Sequence, residues 1–321
     1  MVNRRTLVKS AAIMAAACAI SPRTNAGTAK SERGIASLYR YKLGSFQLTA
    51  IYDGFWNRPI DAKFVRNAPY DAVKKALADG FMPPDTLAMP FTPILINTGT
   101  KLVLIDTGSG GQLAATAGAL VDNLAAAGVE PKMIDAVVIS NFHPDHIDGL
   151  RSKDGDIVFP KAEILAPRIE WTFWMDDANL AAASTLFKPY FLNARRVFRD
   201  LQERVRPFDG EQEIIPGITA VSAPGHTPGH CAFAIASDNR SMMALCDTTN
   251  HPWLFARHPD WQPILDMDGP LAVKTRKRLL DRVAADKMPI AGYHFPFPGY
   301  GHILRTASGY EFVPAMWQTT L

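Results

Sequence analysis

The chain has 321 residues, 47% of them hydrophobic and 20% charged, which bounds it to one large core or at most two domains. Its formal net charge is +3. The excess lies in the first 26 residues, where Arg4, Arg5, Lys9 and Arg23 meet no acid. The remainder is slightly negative, which argues against a nucleic-acid partner.

The N-terminal stretch "MVNRRTLVKSAAIMAAACAISPRTNA" has a basic start, an apolar run and a small-residue end. That is the layout of an export signal over residues 1–26, cut after Ala26. Arg4 and Arg5, followed by Thr6, Leu7, Val8 and Lys9, resemble a twin-arginine signal, against the competing reading of an ordinary secretory signal or an uncleaved anchor. The apolar run is short and rich in alanine, so no stable membrane anchor is expected. Cys18 follows three alanines, a poor lipoprotein cleavage box. The expected location is the periplasm or the exterior.

Residues 27–42 are small and polar and read as a linker; the domain is expected over 43–321. "FQLTAIYD" alternates as a strand should, and "FTPILINTGTKLVLIDTG" reads as two strands joined at Thr98–Gly99. "QLAATAGALVDNLAAAG" predicts an amphipathic helix stopped by Gly128. "IDAVVISN" is a buried strand, and "AEILAP" a short one. Residues 171–200 read as a helical, aromatic-rich insertion. Three strands follow in "ITAVSAPGHTPGH", "CAFAIAS" and "SMMALCD". The last two form a hairpin turning at Asp238–Asn239 that sets Cys231 opposite Cys246. An exported protein leaves a disulfide open, but opposed strand positions strain a bridge, so two buried free thiols are favoured. "PLAVKTRKRLLDRVAAD" is a helix with Pro270 in its first turn, and "MPIAGY" is a last buried strand. Two groups of strands, each followed by helices, predict an α/β (α+β) fold with two sheets packed face to face and helices outside.

Six residues belong together: His143, Asp145, His146, His226, Asp247 and His294. Each follows an apolar strand, and strand ends bring distant side chains to one edge of a sheet. Imidazole and carboxylate are the ligand set of zinc and related first-row metals. A lone histidine is most often structural; four with two aspartates, all at strand ends, are not explained that way. His251 and His258, each beside a proline in a loop, carry no assigned role.

At these residues the chain resembles the metallo-β-lactamase fold superfamily, from about Leu43 to Trp317. The superfamily loop H-x-H-x-D-H stands here as Asn141-Phe142-His143-Pro144-Asp145-His146. The likeness extends through "LIDTG", "APGHTPGH", "LCDTT" and "YHFPFPGYGH". The last segment and the ligand spacings look most like the methyl parathion hydrolase group, which is related to lactonases. The resemblance implies an αββα sandwich of two mixed sheets with the site at one edge. Carried over by position, site one is Asn141, His143 and His226; site two is Asp145, His146 and His294; Asp247 bridges them. Asp106 is expected to orient a ligand from behind, with a plain strand-end cap as its competing role. His302 and His230 are candidates for the same kind of support, or for packing.

The implied cofactor is zinc, one or two ions, with manganese or iron open. Two cations lower the pKa of water held between them and receive charge developing on the substrate. Asp145 can ligate and also handle a proton. Asn141 offers a weaker ligand than imidazole, so site two is expected to be the tighter. The mono-zinc carbapenemase subclass of the superfamily also carries Asn there, but with a cysteine where this chain has Asp247.

The insertion supplies Trp171, Phe173, Trp174, Phe187, Tyr190 and Phe191, and the loop after Asp247 adds Trp253, Phe255 and Trp261. Trp171, Trp174, Phe187, Trp253 and Phe255 are expected to line a substrate pocket, the rest to pack the core or a dimer interface. The leading expectation is a metal-dependent hydrolase that turns activated water on a small lipophilic lactone, ester or organophosphate triester. The alternatives are a β-lactamase and an exported binding protein with an impaired metal site. A homodimer is left open.

Overall fold

In this computed structural model residues 37–318 are described; the export signal expected over residues 1–26 lies outside them. The first strand, β1 (Leu38–Leu43), starts inside the segment expected as a linker. It buries Tyr39, Tyr41 and Leu43 while Arg40 and Lys42 face outward or stay partly covered, the period-two alternation of "LYRYKL". The polar residues before it hide that start in the sequence.

β2 (Phe46–Ile51) returns antiparallel to β1. A separate ribbon follows, β3 (Gly54–Pro59) paired with β4 (Thr86–Phe91), with helix α1 (Tyr70–Asp79) between them. β5 (Ile94–Asn97) and β6 (Leu102–Ile105) make the expected hairpin. β7 (Ala136–Val138), β8 (Glu163–Pro167) and β9 (Val205–Phe208) then add in parallel. The first sheet thus runs β1-β2-β5-β6-β7-β8-β9. The second takes β10 (Glu213–Ile215), β11 (Ile218–Ser222), β12 (Cys231–Ser237), β13 (Arg240–Ala244), β14 (Ile290–Ala291), β15 (Tyr300–Arg305) and β16 (Tyr310–Pro314), in that order.

The two sheets face each other across one core. Val103, Ile105 and Val138 from the first meet Ile218, Phe233 and Ile235 from the second. The residues between them on the same strands point the other way. Leu104 and Val137 pack under α2 (Leu120–Ala126), α4 (Arg168–Met175) and α6 (Lys188–Phe198). Ala232 and Met243 pack under α7 (Gly269–Ala285), through Leu279, Leu280 and Val283. Both faces of the central strands are covered, which is why "LVLI" and "AVV" show no polar alternation. Each buried Leu or Val contributes roughly 1.5–3 kcal/mol. This is the expected αββα sandwich. Cys231 and Cys246 are both buried and unbridged. Among the described residues no helix is long and apolar enough to cross a membrane.

One expected element is shorter than its pattern. The helix read over 112–128 is helical only over Leu120–Ala126. Gly118 sits at φ +109° with its Cα hydrogens against Gly111, where an added Cβ would meet the Gly111 Cα at 2.4 Å. The chain therefore turns tightly before the helix. Asp53 then caps it: its carbonyl accepts from Gly118 and Ala119, and its carboxylate from Leu120 N–H at 3.0 Å. The segment 112–119 is left as a loop, and this frees Leu113 for the cavity described next.

Candidate metal centre

Each strand-end expectation leads to one place. β7 runs through Ser140 into Asn141, and His143 opens the short helix α3 (Pro144–Ile147), which carries Asp145 and His146. Asn141 Oδ1 accepts from His143 N–H at 2.9 Å, which sets that turn. His226 follows β11, Asp247 lies in the turn after β13, and His294 follows β14. Ligand atoms of His143, His226 and Asp247 lie within 4.8 Å of one another, and so do those of Asp145, His146 and His294.

Asp247 stands between the two groups. Its Oδ2 is 2.8 Å from His146 Nε2 and 3.0 Å from His226 Nε2, and its Oδ1 is 2.7 Å from His294 Nε2. His226 Nε2 also faces His143 Nδ1 at 2.9 Å. His146 Nε2 is buried and, despite its closeness to Asp247, has no hydrogen bond in line. A buried imidazole nitrogen left unmet beside a carboxylate is a position a cation can fill, and the donor set of imidazole and carboxylate fits zinc. Buried carboxylates resist ionising, yet Asp145 and Asp247 are both driven below the ordinary range, because the surrounding imidazoles outweigh the burial. His146 goes the other way: burial opposes its charged form, but Asp247, Asp145 and Asp106 outweigh it and raise its pKa.

The far nitrogens of three of these imidazoles are anchored, which fixes tautomer and ring angle. His146 Nδ1 donates to Asp106 Oδ2 at 2.8 Å, and Ser140 N–H and Oγ–H also donate to that carboxylate. Asp106 holds this place with φ +59°. His294 Nδ1 donates to the Pro90 carbonyl at 2.8 Å. His226 Nδ1 donates to Asp266 Oδ1 at 2.9 Å, and the buried Arg276 fixes the other oxygen at 2.9 Å. His230 works differently. Burial and His226 push it down to about 4, so it is neutral, donating from Nδ1 to Ala223 and accepting Asp247 N–H at Nε2, 3.0 Å away. It therefore holds the backbone of the central carboxylate.

Several expected roles are placed elsewhere. Asn141 is not set as a ligand: its oxygen is engaged by His143 N–H, and its Nδ2 donates to Asp247 Oδ2 at 2.9 Å. His302 is exposed on β15, paired with Val313, away from the site. The five aromatics expected to line a pocket do not line the cavity over the metal centre. Trp174 is fully buried, its Nε1–H donating to Glu170 at 2.8 Å. Trp171 packs edge-on against Phe142 and Phe198. Phe187 lies behind Tyr190. Trp253 is covered by the Arg257 guanidinium at 3.4 Å, and Phe255 fills a core with Phe64 under α1. Trp174 and Phe255 are thus core residues, and Trp171, Phe187 and Trp253 are half-buried against their own neighbours.

The cavity, ≈ 390 Å³ including its open mouth, is walled instead by Trp56, Met89, Phe91, Leu113, Tyr190 and Leu265. Its floor is His143, Asp145, His226, Asp247, Asn250 and His294. Trp56, Met89 and Phe91 come from the β3–β4 ribbon, which carries no chemical motif. Its period-two pattern was the one available signal. Tyr190 comes from the insertion. Glu170 was equally silent. Fully buried, it accepts from Phe142 N–H at 3.0 Å and Gly229 N–H at 2.7 Å, tying together the loops that bear His143 and His226.

A family model for the metallo-beta-lactamase superfamily matches residues 92–288, more than half of the chain. The chain belongs to the metallo-beta-lactamase superfamily. Among solved structures it is similar to AidC, a dizinc quorum-quenching lactonase in complex with a product, N-hexanoyl-L-homoserine, at 28% identity and a TM-score of 0.83, covering 88% of this chain and 99% of that one. The hydrolase AbOPH of the beta lactamase superfamily is similar at 25% identity and a TM-score of 0.82, covering 89% and 100%. An N-acyl homoserine lactonase of Bacillus cereus is 23% identical over 195 residues, 61% of this chain and 66% of the relative, just under two thirds of its length.

Proposed function

We propose that this superfamily member is an exported metal-dependent lactonase acting on lipophilic lactones or aryl esters, with organophosphate triesters as side substrates. The observation that carries the reading is the convergence of two three-residue ligand groups on Asp247 beneath an apolar cavity. The lactonase and hydrolase relatives favour the same reaction class, and within the superfamily the ligand spacings group the chain with methyl parathion hydrolase and its lactonase kin. Residues 1–26 act as the twin-arginine-type signal, the hydrolase domain runs from the start of β1 at Leu38 onward, and the protein works in the periplasm or outside the cell, with a homodimer as its proposed assembly.

His143, His226 and Asp247 would hold one cation, and Asp145, His146, His294 and Asp247 the other. Bound zinc supplies Lewis acidity and a lowered pKa for water at neutral pH. The chain does the rest. The apolar walls strip water from the substrate and orient its hydrocarbon part. Asp145, partly open to the cavity, accepts the proton of the attacking water and returns it to the leaving alkoxide. Burial raises the pKa of Tyr190, so its hydroxyl stays protonated and can donate to a substrate oxygen. With Asn141 committed to His143 and Asp247, the first site keeps fewer donors, so the second fills first.

The test is turnover of a lactone, a nitrophenyl ester, paraoxon and a carbapenem by zinc-loaded protein, each with and without chelator. Lactone or ester hydrolysis lost with chelator and restored by zinc is expected. Carbapenem turnover alone would make it a β-lactamase. No turnover despite bound metal would make it a binding protein.

A further inference from the structure

Resting on that reading, we infer that Arg58 is a specificity-determining residue that binds an anionic group at the end of the substrate remote from the scissile bond, so that lactones or esters whose acyl chain ends in a carboxylate are favoured.

The ribbon sets the geometry. Alternate residues of a strand share a face, and on β3 Trp56 and Arg58 lie on one side. Their partners on β4 are Met89 and Leu87, and the pair nearer the metal ligands is Gly54 with Phe91. Phe91 packs edge-on against His294, 5.7 Å between centroids. The cavity wall therefore runs outward from His294 through Phe91 to Met89 and Trp56, and Arg58 lies just past its rim on the same face of the ribbon, two strand residues or about 6–7 Å beyond Trp56. A group there is placed to meet a chain lying along the ribbon.

The guanidinium is held ready. Its Cζ lies 5.0 Å from the Trp56 ring centroid and 5.3 Å from that of Phe64, within cation–π range of both. Nη1 is buried and has no hydrogen-bond partner. Arg58 forms no ion pair with a carboxylate among the described residues, unlike Arg168, Arg206 or Arg257. A half-buried cation with an unmet N–H is costly unless an acceptor arrives, and a planar fork can pair bidentately with a carboxylate. Its charge acts on Tyr190 and Asp145, both cavity residues, which supports its facing the same space.

The experiment is equilibrium binding to the zinc-loaded full chain, by calorimetry, of linear dicarboxylates against monocarboxylates of equal length. The metals take one carboxylate of either ligand, so the ratio reports the second. We expect a preference of about 10-fold or more at the best chain length. Arg58→Met should bring the ratio close to unity, Arg58→Lys should keep part of it, and Lys63→Met, removing an exposed cation on the neighbouring turn, should leave it unchanged. A ratio indifferent to Arg58→Met, or an ω-amide acid binding as well as the dicarboxylate, would overturn the inference. Because binding needs no turnover, inactivity toward lactones would count against the proposed reaction and leave this result standing.

Discussion

At the residue scale the informative position is Asn141. An imidazole there would carry a nitrogen into the first metal site. The amide instead spans two of its neighbours, accepting from His143 N–H and donating to Asp247 Oδ2. It trades a ligand for a brace on the central carboxylate. Two variants separate these roles. Asn141→His should raise first-site zinc affinity about 10-fold or more, so metal content per chain after purification without added metal should increase; unchanged content would defeat the unequal-site reading. Asn141→Ala removes the brace and adds no ligand. A buried hydrogen bond to a charged group is worth about 1.5–3 kcal/mol, so metal content in that variant should fall below that of the parent protein. If Asn141→Ala retained metal as well as the parent, the amide would not be bracing Asp247.

At the element scale the insertion does something other than its composition suggests. Its aromatics invite a reading as a substrate mouth, yet Trp174, Phe191 and Phe198 are buried against the first sheet. Only Tyr190 reaches the cavity. Just before the insertion, on α4, stands Glu170, which accepts from the backbone N–H of Phe142 and Gly229 and from Trp174. Glu170→Gln replaces one acceptor with a donor pointed at N–H groups. It should destabilise by about 1–3 kcal/mol, roughly 2–5 °C in Tm for a chain of this size, and should loosen zinc at the His143–His226 site more than at the other. Equal metal binding in the two proteins would make Glu170 a fold residue alone. The contrast shows what a sequence discloses. Strand-end ligands were legible because "AVVIS", "ITAVS" and "MPIAG" are apolar runs that stop at a chemical side chain. Which ring faces a cavity was not, because Trp174 and Trp56 look alike until the tertiary arrangement puts one under a helix layer and the other on the ribbon. The overlong helix at 112–128 failed for a similar reason: the alanines fit a helix, but Gly118 and the Asp53 cap decide where it starts.

At the scale of the whole molecule, the metal centre joins the two sheets. His143, Asp145 and His146 come from the edge of the first, and His226, Asp247 and His294 from the second. Polar ties cross the same edge: Cys231 N–H donates to the Ser140 carbonyl, Asn141 Nδ2 to Asp247 Oδ2, and Glu170 accepts from both Phe142 N–H and Gly229 N–H. Cations shared through Asp247 would therefore stabilise the contact between halves as well as bind substrate. Any ligand that binds only the folded state stabilises it by an amount that grows with the logarithm of its concentration over Kd, about 2.7 kcal/mol at 100-fold excess. For a chain of this size that corresponds to roughly 4 °C in Tm. Stripping metal with a chelator should thus lower Tm by that order, and titrating zinc back should raise it in two stages. The tighter site, with Asp145, His146 and His294, should act first and at lower free zinc. In Asn141→His the stages should draw together. A Tm indifferent to chelator would mean that the sheets hold this edge without cations, and a single stage in both proteins would remove the difference between the two sites.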